Sequence, residues 1–361
     1  MSKETPDQTI ARLRRVADAE ATAAVAAGTA DAVGLTGSAS SGRVWPSSDL
    51  DILFMSDRIT ERWFRYTVRD GIVLHGIVTP WPELEAFREL YPSRMIESAT
   101  WERILNATWA MDGLVAMNIL HDSSGRLQAM QAFMAKHRFA PDVVVPRRPL
   151  LLARARAEHR KSLDALDNNP REAHRLHHQV IDLLGVIWLE AGRRISSHKE
   201  LDTTLGAVGL ALGVTQLQEL FRMAEGVETY PASRTTIEEA FANLLDLYTP
   251  ALDGLLTGYP TGDGACDWKI ADHVYVRHMA QSVPHALERG CLLHLASVRE
   301  SLQGYELDWV PREAAKHGLA IPIPLGQLPA AQAAALETLA PTPWASRHAA
   351  LEELFRLTAA L

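Results

Sequence analysis

Asp49 and Asp51, two acids one residue apart, are the residues of this 361-residue chain whose type and spacing best suit chemistry. Leu50-Asp51-Ile52-Leu53-Phe54 reads as a strand, and residues at i and i+2 of a strand project from one face, so the two carboxylates share it. Such neighbours repel, and one takes up a proton unless a cation sits between them. Mg²⁺ suits hard oxygens of this kind when a substrate phosphate supplies further ligands. One metal can hold a triphosphate while a second activates an attacking hydroxyl, as in two-metal in-line displacement.

Gly37-Ser38 is the other half of the pattern. It follows the short apolar strand Ala32-Val33-Gly34-Leu35-Thr36 and opens into small residues where a helix is expected to begin. Glycine lets a phosphate approach the backbone N–H groups, and Ser38 adds a hydroxyl donor. Arg43 can meet the phosphates or a pyrophosphate leaving group, and Ser48 stands just before the acids. Asp-x-Asp and Gly-Ser are each common. Together, with an apolar strand on either side, they point to a nucleotide carried with Mg²⁺.

These residues require a small sheet to hold them. Residues 7–27 read as an amphipathic helix, and Ile72 to Val78 as a third strand entered through the turn Asp70-Gly71. Pro82 to Leu90 looks like a helix with proline at its start. Residues 114–121 form a fourth apolar segment closed by Asp122-Ser-Ser-Gly125, and a helix runs from Arg126 to about Lys136. Residues 139–149, with Pro141, Pro146 and Pro149, read as a linker. Helical periodicity then dominates, over 151–168, 171–192, 199–212, 215–226 and 235–256, with more helices beyond a loop at 257–264. The expected fold class is α+β: a mixed-sheet domain over 1–140, then a larger all-helical domain over 150–361 that can divide near 257–264.

Composition agrees with a globular protein, at 47% apolar and 22% charged residues. The net charge of −8 argues against a dedicated nucleic-acid binder, which would concentrate basic residues on one face. With two cysteines, Cys266 and Cys291, there is no disulfide framework, and a cytoplasmic location is expected. Neither a signal peptide nor a membrane-spanning run is visible, and a monomer or homodimer is consistent with the sequence.

Gly37-Ser38 followed by Ser48-Asp49-Leu50-Asp51-Ile52, then a third strand and Asn118-Ile-Leu-His-Asp-Ser-Ser-Gly125 before a helix, resembles the signature of the DNA polymerase β-like nucleotidyltransferase superfamily. The likeness covers about residues 8–138, and the helical half is similar in character to the bacterial aminoglycoside and lincosamide nucleotidyltransferases. It implies transfer of a nucleoside monophosphate, usually AMP from ATP, to a hydroxyl of a small-molecule acceptor, with release of pyrophosphate. It also implies a phosphate-contacting lysine near Lys199 and a third carboxylate on the strand after the Asp pair. That strand carries His75 at the matching position. An imidazole there can act as general base, but it is a poor Mg²⁺ ligand. The missing acid can instead come from Glu158 or Asp182.

Other residues fit plainer roles. His174, His177 and His178 share a helix at metal-compatible spacing, but the neighbouring Arg171 and Arg175 favour a solvated or substrate-facing surface. Arg154, Arg156, His159, Arg160 and Lys161 read as a polar face, the tryptophans as core, and the cysteines as small buried residues. Two rival readings remain. A degenerate nucleotidyltransferase fold would bind nucleotide as a regulatory or antitoxin-like module, with His75 as its main support. An enzyme modifying a protein or an RNA end is the other, and the acidic composition disfavours RNA.

Overall fold

A computed structural model describes residues 5–88, 101–195, 198–228, 233–245, 280–302, 334–335 and 337–361. The protein is mixed α and β, with one sheet in its N-terminal part and helices after it. It forms two compact units, with the boundary between Arg154 and Ala155. The second expected break, near 257–264, lies outside the described residues, as do Cys266, Trp268 and Trp309.

The first unit opens with α1 (Pro6–Ala26), started by a capping box in which Thr5 and Gln8 satisfy each other's backbone N–H groups. The sheet follows: β1 (Ala32–Leu35), β2 (Leu50–Ser56), β3 (Trp63–Arg69), β4 (Ile72–Pro80) and β5 (Asn118–Asp122). Its spatial order is β3-β4-β2-β1-β5, and β2 and β4 run parallel while the other pairs are antiparallel. Between the strands lie α2 (Gly37–Ser41), α3 (Trp81–Ala86) and α4 (Trp101–Ala116), and α5 (Arg126–His137) follows β5.

Strand alternation distributes the core to two faces. Leu50, Ile52 and Phe54 of β2 and Leu74 of β4 pack with Leu13, Val16 and Ala17 of α1. Leu53 and Met55 pack oppositely, with Trp81, Met111, Leu127 and Met130. Asp51 has the parity of Leu53 and Met55, so it belongs to the face covered by α4 and α5.

Three elements differ from the sequence-based expectation. β3 is an additional strand; it pairs with β4 through the tight turn Asp70-Gly71, where both residues have positive φ (51° and 72°). That is the turn type that matches strand twist in two-residue hairpins. The segment 114–121 is divided, its first residues ending α4 and the rest forming β5. The expected linker is α6 (Pro141–Ala165), with Pro146 and Pro149 inside it. Both prolines are exposed, as are Asp142 and Val145, whose carbonyls lose their helical donors and can bind water instead. Val144, Arg147, Leu151 and Ala155 form a continuous buried stripe that offsets this local cost.

The second unit is helical: α7 (Pro170–Ala191), α8 (Leu201–Ala211), α9 (Leu217–Glu225), α10 (Arg234–Leu245), α11 (Val283–Arg289), α12 (Leu292–Leu302) and α13 (Trp344–Ala359). Leu183, Leu184 and Trp188 of α7 are fully buried, as are Phe221 of α9 and Leu354 of α13. The Trp188 indole N–H donates to Thr358 Oγ1 at 2.9 Å, satisfying its polar edge inside the core. Trp109, by contrast, is partly exposed. No helix among the described residues is long and apolar enough to cross a membrane.

Candidate active site on the β2–β4 pair

The turn after β1 is pinned directly to β2. Thr36 donates its backbone N–H to the Asp51 carbonyl at 2.9 Å, and its hydroxyl reaches the same oxygen at 3.4 Å. Gly37 then takes φ +67°, a left-handed conformation that glycine adopts without penalty. A Cβ built on Gly37 would collide with Oδ2 of Asp51, so the absent side chain is what lets this carboxylate rest against the turn.

The other Asp51 oxygen is engaged across the parallel ladder. Asp51 and His75 are register partners, and His75 Nδ1 lies 3.0 Å from Asp51 Oδ1. An ionised carboxylate only accepts hydrogen bonds, so Nδ1 carries the proton and Nε2 holds the basic lone pair in the neutral ring. The side chains of Asp51 and His75 are 22% and 16% exposed, and Nε2 of His75 is itself enclosed.

Ser38 follows Gly37 and is buried, and its hydroxyl makes no hydrogen bond among the described residues. An unpaired buried hydroxyl is costly, and a ligand oxygen would relieve that cost. Ser40 donates its hydroxyl to the Gly37 carbonyl at 2.9 Å, and Asn118 Nδ2 donates to the Ser40 carbonyl at 2.9 Å, which ties β5 to α2. At five residues α2 is too short for helix polarity to contribute much, so anion affinity here would rest on hydroxyl, backbone N–H and metal.

Asp49 is buried and immediately precedes β2. Ser48 shapes its approach: the Trp45 N–H donates to Ser48 Oγ, and the Ser48 N–H donates to the Trp45 carbonyl, each at 2.8 Å. Trp45 is buried and anchors this turn. Arg43 is exposed just after α2, its backbone N–H bound to the Ser38 carbonyl at 3.0 Å. Gly37, Ser38, Asp51 and His75 are therefore brought together, with Ser48 and Asp49 on the loop that feeds the same strand. Lys199 lies in the second unit, in the single-turn helix His198–Glu200. Glu158 and Asp182 also belong to that unit, where Glu158 accepts from Lys161 at 3.0 Å and Asp182 lies 3.8 Å from His178.

The histidines of α7 overturn the expectation of a solvated face. His177 is fully buried and donates from Nε2 to the Ala224 carbonyl at 2.7 Å. Arg347 donates to His174 Nδ1 at 2.7 Å. His178 donates from Nδ1 to Glu225 at 3.1 Å, and Arg299 reaches the same carboxylate at 3.1 Å. Burial, with Arg347 second, holds His174 down at about 4 and His177 at about 3. Burial opposes charge on His178 too, but Glu225 and Asp182 outweigh it and raise this imidazole to about 10. Burial would raise Glu225, yet His178 and then Arg299 draw it down to about 2. Sequence spacing shows that the three share a helix face; the partners on α9, α12 and α13 are out of its reach.

Set beside known proteins, the chain matches no family model and no curated protein sequence.

Proposed function

We propose that the protein is a nucleotidyltransferase that moves a nucleoside monophosphate, AMP from ATP, onto a hydroxyl of a small-molecule acceptor such as an aminoglycoside-type compound. The supporting observation is the seat of Asp51, one oxygen against Gly37 and the other on His75, beside the buried unpaired hydroxyl of Ser38. Asp49 and Asp51 would hold Mg²⁺, which when bound neutralises phosphate charge and polarises the α-phosphorus. Ser38 and the Gly37 backbone would hold the triphosphate, and Arg43 is a secondary candidate for phosphate contact. His75 Nε2 would take the acceptor's proton as the acceptor oxygen bonds to the α-phosphorus and pyrophosphate leaves. Asp51 then orients the imidazole as well as holding metal. The cytoplasm is the compartment in which this activity would operate.

Incubation with labelled ATP, Mg²⁺ and a panel of aminoglycosides tests the reading. Label transfer with stoichiometric pyrophosphate release is expected, and loss of both in Asp49→Asn or Asp51→Asn with the fold intact. Turnover unchanged in either variant would refute the assignment.

A second reading draws on the same hydrogen bond. With one Asp51 oxygen committed to His75, the pair can serve a nucleotide-binding module that does not turn over. ATP binding by calorimetry, with no pyrophosphate release for any acceptor, would favour it.

A further inference from the structure

We propose that the second unit holds a separate binding site for a zinc-like divalent transition metal, formed by His159 of α6 with His348 and Glu352 of α13. One ligand atom from each lies within 4.8 Å of the others, the one such three-residue group among the described residues. His159 Nε2 is 3.6 Å from Glu352 Oε1. A tetrahedral zinc with bonds of about 2.0–2.1 Å sets its ligand atoms roughly 3.3 Å apart, so small side-chain motions would close the set.

Two independent features point to a cation. His159 is buried, yet among the described residues its Nε2 has no hydrogen-bond partner, and neither does the enclosed Nδ1 of His348. Two imidazole nitrogens left bare beside a carboxylate are a lasting cost without a ligand and a ready donor set with one. The sequence supplies the second feature: His348 and Glu352 stand at i and i+4, which places both on one face of α13. The rings of His159 and His348 are stacked with centroids 5.2 Å apart, and would fan apart on the metal.

The surroundings hold the donors in place. Phe355 packs against His159 with centroids 5.7 Å apart, and Arg156 lies over the Phe355 ring. The ring of His177 stands edge-on to that of His159, with centroids 6.3 Å apart. Two imidazoles and one carboxylate select zinc, cobalt or nickel over magnesium, which demands oxygen ligands. This set is chemically distinct from the Asp49–Asp51 site. Three protein ligands leave a coordination position open, and Glu352 is exposed to solvent.

The test uses the untagged full chain stripped of metal by a chelator. Titration with Co²⁺ should give the visible absorption of a four-coordinate ion, and Zn²⁺ should remain at one equivalent after dialysis. His348→Ala and Glu352→Gln, at positions open enough to keep the fold, should each weaken binding more than about 100-fold, beyond the loss of an outer-shell partner. Asp51→Asn should bind Co²⁺ as the wild type does, which separates this site from the nucleotide site whatever that variant does to turnover. Wild-type protein that retains no zinc, or His348→Ala that retains as much as wild type, would overturn the proposal.

Discussion

At Gly37 a single methyl group would strike Asp51 and would also sit in a left-handed backbone conformation. Gly37→Ala should therefore cost about 1–2 kcal/mol from the backbone alone, with displacement of the carboxylate added. Urea denaturation checks the first effect, and nucleotidyl transfer should fall far more than stability does. His75 invites a sharper measurement. If its Nε2 is the base, His75→Asn should lower kcat while leaving KM for ATP near the wild-type value. The buried carboxylate of Glu225 belongs to the same scale. It answers both His178 and Arg299, so Glu225→Gln removes the carboxylate they share and leaves only Asp182 and Glu300 to offset them. A loss of about 3–5 kcal/mol is expected from breaking such a buried set, read as a shift in the denaturation midpoint.

Among the elements, α6 carries the most evident local conflict. Pro146 and Pro149 each remove a helical hydrogen bond, on the exposed side, while the opposite side is buried. Pro149→Ala should restore a donor without touching the core and stabilise the protein by on the order of 1–2 kcal/mol, after allowing for the greater freedom it gives the unfolded chain. A fall in melting temperature would mean that the bend itself is needed. Three prolines in eleven residues speak for a linker, and they mask the helical spacing of Val144, Arg147, Leu151 and Ala155. β3 is hidden for a related reason: Asp70-Gly71 marks the entry to one strand, but a two-residue turn of that type joins a pair. β1 and β2 are legible as short apolar runs, because both their faces are buried, while β4, α1 and the major helices of the second unit are legible from periodicity.

For the whole molecule, titration of buried imidazoles sets the response to pH. His174 and His177 have pKa values below the ordinary 6.5, at about 4 and about 3, so the unfolded chain takes up their protons first. Their contribution is present above pH 6.5 and is lost as pH falls towards 4, by up to about 1.4 kcal/mol per pH unit for the fully buried His177. His178 acts in the opposite sense: raised to about 10, it stabilises fully below 6.5, and that share is lost as pH rises through 10. Chemical denaturation of metal-free protein between pH 4 and 10 should show both limbs, and His177→Gln should flatten the acidic one.

The amino-acid sequence by itself determined the α+β class, the change from sheet to helices, and the Gly37-Ser38 and Asp49-x-Asp51 pattern, because strand and helix periods and turn residues act over short distances. The tertiary structure decided which groups meet. Asp51 reaches His75 because β2 and β4 lie parallel in that register, and Glu225 collects His178 and Arg299 because three helices converge on it. His159, which the sequence places on a polar face, turns inward beside His348 and Glu352. Partners far apart in the chain leave no periodic signal, since burial and charge pairing between elements depend on packing that no local window contains.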